Sequence, residues 1–280
     1  MHLLSRGMSV LMEEGFMEFS KQMSGFMYRK ASPYLPRYGY VYENSVKMSK
    51  CPILAQIIPY SGYRNSTDTE DGVVSCHEKI TRHGDSVTVV GGGQGITAVR
   101  AAKIVGATGR VTIYEGGKEA VETITKVVGL NSVQDRCAVY QAIVGQEINV
   151  YGGETAAADV IHPSELQECD ILELDCEGSE IDILKQLEIR PRAIILELHP
   201  WEYSESIREP INILQKEGYE ILYRFGHDGI ELNDDDFETL LYRSSNKKGE
   251  KNPDKKGPRY VDSGARWPVV IAAVDKKQYA

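Results

Sequence analysis

The sequence lacks the features of several large classes of protein. Its five cysteines, at positions 51, 76, 137, 169 and 176, form no CxxC pair and no Cys/His pattern of metal ligands. Neither a disulfide framework nor a zinc finger is therefore expected. Lysine and arginine number 32 against 41 acidic residues, which gives a net charge of -9. Because affinity for nucleic acid needs a basic surface, nucleic acid is not an expected partner.

Long apolar runs are also missing from the chain. No run of 18 apolar residues occurs, so no transmembrane helix is predicted, and the N-terminus lacks the apolar segment and cleavage site of a secretory signal. We therefore expect a cytoplasmic protein with reduced thiols. With 280 residues, 41% of them hydrophobic, the chain is long enough for one α/β domain with an extension.

The first part of the chain differs in composition from the rest. All seven methionines lie there, and apolar residues recur every three or four positions between Met8 and Met27, which predicts an amphipathic helix. We expect a helical or irregular extension at residues 1–78 and an α/β domain at 79–280. The helix either packs on the main domain or, through residues 8–27, contacts a membrane surface or caps a substrate pocket.

Beyond the extension, short apolar runs alternate with helical patterns. This alternation predicts a doubly wound α/β domain, with a mostly parallel sheet, right-handed crossovers and helices on both faces. The predicted strands span residues 86–90, 110–115, 137–143, 169–175, 193–198, 219–225 and 268–274. The main predicted helices span residues 96–105, 118–128, 204–217 and 234–244.

A glycine-rich turn follows the first predicted strand. Gly91, Gly92, Gly93 and Gly95 stand between that strand and the helix that begins at Ile96. Glycines let the backbone approach a ligand closely, and a helix N-terminus offers unbonded N–H groups and positive potential. The pattern predicts a site for a nucleoside ligand whose amino-acid tail lies over the turn.

The glycine pattern alone does not distinguish between two kinds of cofactor. The run from Gly93 to Ala98 also matches the dinucleotide fingerprint G-x-G-x-x-A, which is typical of NAD sites. Glu115 ends the second strand, where an acid accepts hydrogen bonds from ribose hydroxyls, and both cofactors carry that ribose. We place Ala142, near the end of the third strand, in the same cofactor site.

Acidic residues and a histidine lie at or just beyond the ends of the fourth and fifth strands. Glu173, Asp175 and Glu177 are spaced two residues apart, as are Glu197 and His199, so each set shares one face if its strand continues. Ligands of parallel sheets bind at the carboxyl ends of the strands. Buried acids grouped at such an edge are expected to have perturbed pKa values, as functional sites do.

At these strand ends the sequence resembles the FkbM-type methyltransferases. The fourth strand runs into D-C-E-G-S-E from Asp175 to Glu180, and the fifth ends in E-L-H at His199; the family pattern is close to K-I-D-V-E-G-x-E followed by a strand ending in E-x-H. The resemblance covers about residues 80–225. It implies a class I fold with seven strands in the order 3-2-1-4-5-7-6, S-adenosylmethionine as methyl donor, and O-methylation of a sugar, glycan or polyketide-like acceptor.

Two positions depart from the family pattern. The lysine usually found two residues before the motif's aspartate is Glu173 here, and the acid often found two residues before the first glycine is Val89. A carboxylate at the second position helps to hold the amino group of the methionine moiety. We therefore expect Asp175 or backbone carbonyls to do more of that work.

The resemblance also suggests roles for the residues at the strand ends. Methyl transfer needs alignment of the acceptor oxygen with the methyl carbon and sulfur, and removal of one proton. We expect His199 to accept the proton, because a neutral imidazole has a suitable pKa, while Asp175 and Glu177 orient acceptor hydroxyls or act as the base. No metal is expected. The predicted cofactor site comprises Gly91, Gly92, Gly93, Gly95, Glu115, Ala142 and Asp175.

Two other functions stay open on the residue pattern. The first is an NAD-dependent oxidoreductase or epimerase acting on a sugar nucleotide. Against it, none of the six tyrosines from Tyr140 to Tyr242 is followed four residues later by a lysine. The second is a non-catalytic, membrane-associated binding protein that uses the N-terminal helix and the lysine-rich stretch Lys247–Arg259.

Overall fold

A computed structural model shows two compact units, Met1–Thr67 and Asp68–Ala280. The sequence predicted an α/β domain that begins at residue 79. Residues 68–78, which that prediction placed in the extension, group with the second unit. The structure describes residues 16–31, 34–49, 51–52, 70–145, 158–176, 178–199, 202–203, 206–246 and 268–279.

The first unit contains a helix and short strands. The helix spans Phe16–Ala31, so it extends past the predicted end at Met27, while residues 8–15 lie outside the described part of the chain. Two short antiparallel pairs follow, joining Arg37–Tyr38 to Cys51–Pro52 and Tyr42–Glu43 to Val46–Lys47. Among the helices described in either unit, none has the length and apolar character needed to cross a bilayer.

The second unit is built on an eight-stranded sheet. Its strands are β1 (Ser86–Val90), β2 (Arg110–Glu115), β3 (Cys137–Val144), β4 (Asp159–Ile161), β5 (Ile171–Leu174), β6 (Ala193–Leu198), β7 (Tyr219–Gly226) and β8 (Val269–Asp275). Their spatial order is β7-β8-β6-β5-β1-β2-β3-β4. The neighbours pair in parallel except at β8, which is antiparallel to both β6 and β7.

This topology confirms the predicted fold class and the order 3-2-1-4-5-7-6 of the seven predicted strands. The last strand lies antiparallel between the fifth and the sixth, as expected. The predicted number of strands is wrong by one, because β4 adds to the edge of the sheet beside Ala142–Val144. A strand of three residues, exposed or half-buried along its length, is too short to produce a hydrophobic alternation.

Helices cover the sheet on both sides in the order of the chain. They are α1 (Asp71–Ile80), α2 (Ile96–Val105), α3 (Lys118–Leu130), α4 (Glu180–Gln186), α5 (Glu209–Lys216) and α6 (Asp234–Asn246). The bounds of α2 are those predicted, and α3 and α6 each run two residues further. Helix α1 was not predicted, although Val73, Cys76 and Ile80 are buried at helical spacing.

The core lies on both faces of the central strands. Every residue of β6 and β8 is buried, as expected of strands covered on both faces. Each buried Ile, Leu or Val side chain contributes about 1.5–3 kcal/mol. The uninterrupted apolar run of β8 is typical of an interior strand that is covered on both faces.

Helix α1 is anchored closely to the sheet at both of its ends. At Gly72 an added Cβ would lie 2.6 Å from the Gly226 carbonyl oxygen, so this helix approaches β7 more closely than any side chain would permit. At the other end, Arg192 donates to the Ile80 carbonyl at 3.3 Å and to the Asp85 carboxylate at 2.6 Å. These contacts fix the position of α1 relative to the strands.

A buried polar network joins α1 to the middle of the sheet. Glu173, in β5, contacts His77 Nε2 at 2.6 Å and accepts a hydrogen bond from Thr97 Oγ1 at 2.7 Å. The other ring nitrogen of His77 bonds Thr81 Oγ1 at 2.8 Å. The acid that replaces the family's lysine therefore has an imidazole as its partner.

This network predicts a pronounced effect on stability. Glu173→Leu leaves His77 without its carboxylate partner in the core, and removing one member of a buried pair costs about 3–5 kcal/mol. We expect that loss in the free energy of unfolding measured with urea, and we expect the double change Glu173→Leu with His77→Leu to recover most of it.

The matched control is Glu78→Gln on the outer side of the same helix. Glu78 pairs with Arg100 at the surface, and such exposed pairs contribute at most about 1 kcal/mol. Equal losses for Glu173→Leu and Glu78→Gln would show that the buried network does not hold α1 in place.

Candidate functional site

The glycine turn after β1 lies directly against the end of β5. Gly91 has a φ of +89°, and an added Cβ would lie 1.8 Å from the Asp175 carbonyl oxygen. The Gly91 N–H donates to Tyr114 O and the Asp175 N–H donates to Val90 O, each at 3.0 Å. Only glycine fits at position 91, and its contact brings the turn and Asp175 together.

The other glycines of the turn have different neighbours. A Cβ at Gly92 would lie 2.6 Å from Ile113 Cγ2. Gly95 directly precedes α2 with a φ of +82°, and a Cβ there would lie 3.4 Å from Ile124. Gly93 has a φ of +51°, and among the described residues the nearest atom to its Cβ position is Glu70 Oε1 at 3.7 Å. Packing thus accounts for Gly92 and Gly95, whereas a Cβ at Gly93 would meet only the Glu70 carboxylate within 4 Å among the described residues.

Glu115 lies beside this turn, as the sequence predicted. Its carboxylate accepts hydrogen bonds from the Gly93 N–H at 3.1 Å and the Gly117 N–H at 2.9 Å. Each carboxylate oxygen offers more than one acceptor position. The acid can therefore hold the turn and still accept a hydrogen bond from a ligand hydroxyl.

Ala142 occupies a more interior position than expected. The strand β3 continues to Val144, so Ala142 is not at its end, and its side chain packs in the core with Tyr114 and Val144. Its backbone pairs with Asp159 of the added edge strand. The cofactor contact assigned to Ala142 stays a prediction.

Asp175, Glu197 and His199 come together at the carboxyl ends of β5 and β6. His199 Nε2 lies 3.8 Å from Asp175 Oδ1 and 3.9 Å from Glu197 Oε2. Glu197 and His199 are buried, while the Asp175 side chain keeps 24% of its surface exposed. Asp175 is therefore the member of this acid–imidazole cluster that a ligand can reach most easily.

Two further side chains support this cluster from behind. Glu180 Oε1 lies 3.4 Å from His199 Nδ1, and its carboxylate accepts the Gly178 N–H at 2.8 Å. His227 Nδ1 lies 3.4 Å from Glu197 Oε1. The role of His227 was not predicted from the sequence; the available signal was its position directly after β7, at the same edge of the sheet.

The two carboxyl groups of the cluster differ in their affinity for a proton. Burial raises the pKa of Asp175 well above its usual range, and the neighbouring charge of Glu197 raises it further. Burial would also raise the pKa of Glu197, but the hydrogen bond with His227 and the charge of His199 bring it down to about 2. Of the two carboxyl groups, Asp175 therefore has the higher affinity for a proton.

Other residues expected near this edge lie elsewhere or outside the described part. Glu173 is not in the cluster, because its carboxylate is engaged in the buried network with His77 and Thr97. The same network removes His77 from consideration as an alternative base. Glu177 lies outside the described residues, so its assignment stays a prediction.

The cluster also has the spacing of a possible cation site. One ligand atom each from Asp175, Glu197 and His199 lies within 4.8 Å of the others. Glu197 and His199 already have protein partners in His227 and Glu180, so the arrangement can be explained by hydrogen bonding and charge. The expected absence of a metal stays a prediction.

Glu70 was not identified from the sequence. It precedes α1 with a φ of 58°, and its carboxylate borders the open position at Gly93. Its charge also contributes to the raised pKa of Asp175. No local motif marks this residue, because its proximity to the glycine turn depends on the packing of α1.

One tyrosine does have the spacing of an oxidoreductase pair. Tyr114 precedes Lys118 by four residues, but Tyr114 lies within β2 and Lys118 begins α3. The two residues therefore do not share a helix face.

Comparison with solved structures gives similar folds at low sequence identity. A SAM-dependent O-methyltransferase from Thermotoga maritima is 16% identical over 73% of this chain and 64% of its own, with a TM-score of 0.42. A SAM-dependent methyltransferase from Aquifex aeolicus is 13% identical over 74% and 91%, with a TM-score of 0.43. The chain thus spans less than two thirds of the length of the Thermotoga protein.

A comparison with protein families identifies the central part of the chain. No curated protein matches it. Residues 119–221 match the family model for the methyltransferase FkbM domain, and this segment includes Asp175, Glu197 and His199. The match confirms the resemblance at the strand ends: residues 119–221 are similar to the FkbM methyltransferase domain, as expected of the S-adenosylmethionine-dependent methyltransferase that the sequence predicted.

Proposed function

We propose that the protein transfers the methyl group of S-adenosylmethionine to a hydroxyl oxygen of a small-molecule or glycan acceptor in the cytoplasm. The observation that carries this proposal is the contact between Gly91 and the backbone of Asp175. Through it, a turn suited to the cofactor meets a cluster suited to an acceptor hydroxyl. The methyl group would be transferred between these two places.

The glycine turn supplies the proposed cofactor site. The methionine moiety would lie beside Gly93, and the N-terminus of α2 would offer positive potential to its carboxylate. Glu115 would accept hydrogen bonds from the ribose hydroxyls. Asp175 would face the methionine end of the cofactor from the opposite strand.

The chemistry needs little beyond alignment and one proton acceptor. A bond forms between the acceptor oxygen and the methyl carbon as the sulfur–carbon bond breaks, and the hydroxyl proton passes to a base. His199 is the proposed base, with Nε2 toward Asp175 and Nδ1 toward Glu180. The Glu180 carboxylate would orient the ring and stabilise the imidazolium that forms.

The carboxyl groups of the cluster favour an acceptor with several hydroxyls. A protonated Asp175 can donate a hydrogen bond to an acceptor oxygen, while the ionised Glu197 can accept one. Glu177, as assigned from the sequence, would add a third such group. A sugar, a glycan or a polyketide-like acceptor offers hydroxyls at the spacing needed to use more than one of these contacts.

The cofactor is tested first, because it does not require the acceptor. Thermal unfolding is measured with S-adenosylhomocysteine, with NAD and without ligand. At a ligand concentration one hundred times Kd, binding adds about 2.7 kcal/mol, so a clear rise in Tm is expected with S-adenosylhomocysteine alone. A rise with NAD in its place would favour the oxidoreductase alternative, and no rise with either would favour a non-catalytic protein.

The placement of the cofactor predicts the effect of Gly93→Val. A branched side chain at this open position would occupy the space of the methionine moiety, and we expect calorimetry to detect no binding of S-adenosylhomocysteine. Gly39→Val is a matched control, since its φ of +59° imposes similar backbone strain and no described atom lies within 4 Å. Unchanged affinity in a folded Gly93→Val protein would show that the cofactor binds elsewhere.

The catalytic assignment predicts the effect of His199→Ala. Loss of a general base lowers turnover roughly 10²–10⁴-fold, whereas affinity for S-adenosylhomocysteine is expected to stay nearly constant. Turnover is measured as transfer of labelled methyl from S-adenosylmethionine to a panel of monosaccharides and glycosides. His162→Ala, an exposed histidine outside the cluster, is the control.

Full activity of His199→Ala would show that His199 is not the base, and the base would then be assigned to Asp175 or Glu177. A chelator provides a further check, since transfer is expected to continue in EDTA. Loss of activity in EDTA that added Mn²⁺ restores would assign the cluster to a cation instead.

A further inference from the structure

We infer that Glu70 binds the α-ammonium group of the methionine moiety, in place of the acid that related domains carry in their first strand. The inference rests on the proposed function, because it requires S-adenosylmethionine at the glycine turn. It adds to the cofactor site a residue from α1, an element outside the segment that matches the family.

The need for such a residue arises in β1. Val89 occupies the position where the family often has an acid, and it is fully buried in the core. A cofactor with an ammonium group at the turn still needs an anionic partner, because an unpaired charge in a partly buried site is costly. That partner has to come from another element.

Glu70 is at the right place to supply the charge. Its Oε1 lies 3.7 Å from the Cβ position of Gly93 and is the only described atom within 4 Å of that position. The carboxylate therefore borders the volume in which the amino-acid tail of the cofactor would lie. Asp175 approaches the same turn from the opposite side through its contact with Gly91.

The position of Glu70 is determined by the fold. Helix α1 is held by the His77–Glu173 pair in the core and by the close contact of Gly72 with β7. The Glu70 carbonyl accepts the Val74 N–H at 3.0 Å, which is the first hydrogen bond of the helix.

Helix stabilisation does not explain this carboxylate. An acid at a helix N-terminus can cap backbone N–H groups, but the Glu70 side chain makes no capping hydrogen bond. Asp71 already provides the negative charge in the first turn of α1. The charge of Glu70 also acts on Asp175, whose pKa it helps to raise.

The test compares ligands with and without the ammonium group. S-adenosylhomocysteine carries it, whereas 5′-methylthioadenosine has the same nucleoside and thioether without the amino-acid tail. Calorimetry is performed on the wild-type protein, on Glu70→Gln and on Glu78→Gln, an exposed glutamate of the same helix. We expect Glu70→Gln to weaken S-adenosylhomocysteine about 10- to 100-fold, as for a lost charged hydrogen bond, and to leave 5′-methylthioadenosine and the Glu78→Gln variant unchanged.

Each alternative outcome has a distinct meaning. Unchanged affinity of Glu70→Gln for S-adenosylhomocysteine would overturn the inference and leave the proposed function intact. Equal weakening of both ligands would also overturn it, because Glu70 would then only shape the turn. Failure of the wild-type protein to bind S-adenosylhomocysteine would contradict the proposed function itself.

A measurement on the wild-type protein covers the case in which Glu70→Gln does not fold. S-adenosylhomocysteine is compared with its analogue that lacks the α-amino group, and we expect the analogue to bind about 10- to 100-fold more weakly. Glu70→Asp, which keeps the charge, is expected to retain most of the affinity. Equal affinity of the wild-type protein for the two ligands would overturn the inference.

Discussion

The contact between Gly91 and the Asp175 carbonyl is the constraint on which the rest of the site depends. Two backbone segments from neighbouring strands meet at a distance that excludes any side chain at position 91. This contact joins the glycine turn, which faces the proposed cofactor, to the strand end that carries the acid–imidazole cluster. Because both partners are backbone atoms, their separation is set by the pairing of β1 with β5 and does not depend on rotamers.

A change in one core residue is compensated by a neighbouring helix. Where the family has a lysine, this chain has Glu173, and its buried side chain contacts His77 from α1. The same pairing holds α1 against the sheet, and the start of that helix carries Glu70 to the glycine turn. The two departures from the family pattern both concern α1. His77 in this helix contacts Glu173, and Glu70, directly before the helix, is proposed to replace the acid that is missing at Val89.

The sequence predicted those parts of the fold that have strong local patterns. The bounds of β1, β2 and β6 were predicted to the residue, because each is a short run rich in β-branched or other apolar residues and bounded by turns. The short edge strand β4 has no such pattern, and α1 lacks a side-chain cap that would mark its start. For the site the same distinction applies. Asp175, Glu197 and His199 follow strands of known polarity, whereas Glu70 and His227 reach the site from elements whose packing only the structure reveals.

The charge arrangement of the proposed site also bears on the direction of the reaction. S-adenosylmethionine carries a positive sulfonium, and transfer of the methyl group leaves a neutral sulfur. Acids near the reacting atoms therefore attract the donor more strongly than the product. In the proposed mechanism, His199 takes up a proton as the sulfonium loses its charge, so a new positive charge would arise close to Glu180 and Glu197. The cluster thus faces one positive charge before and after transfer, so the acids that favour donor binding also stabilise the protonated base.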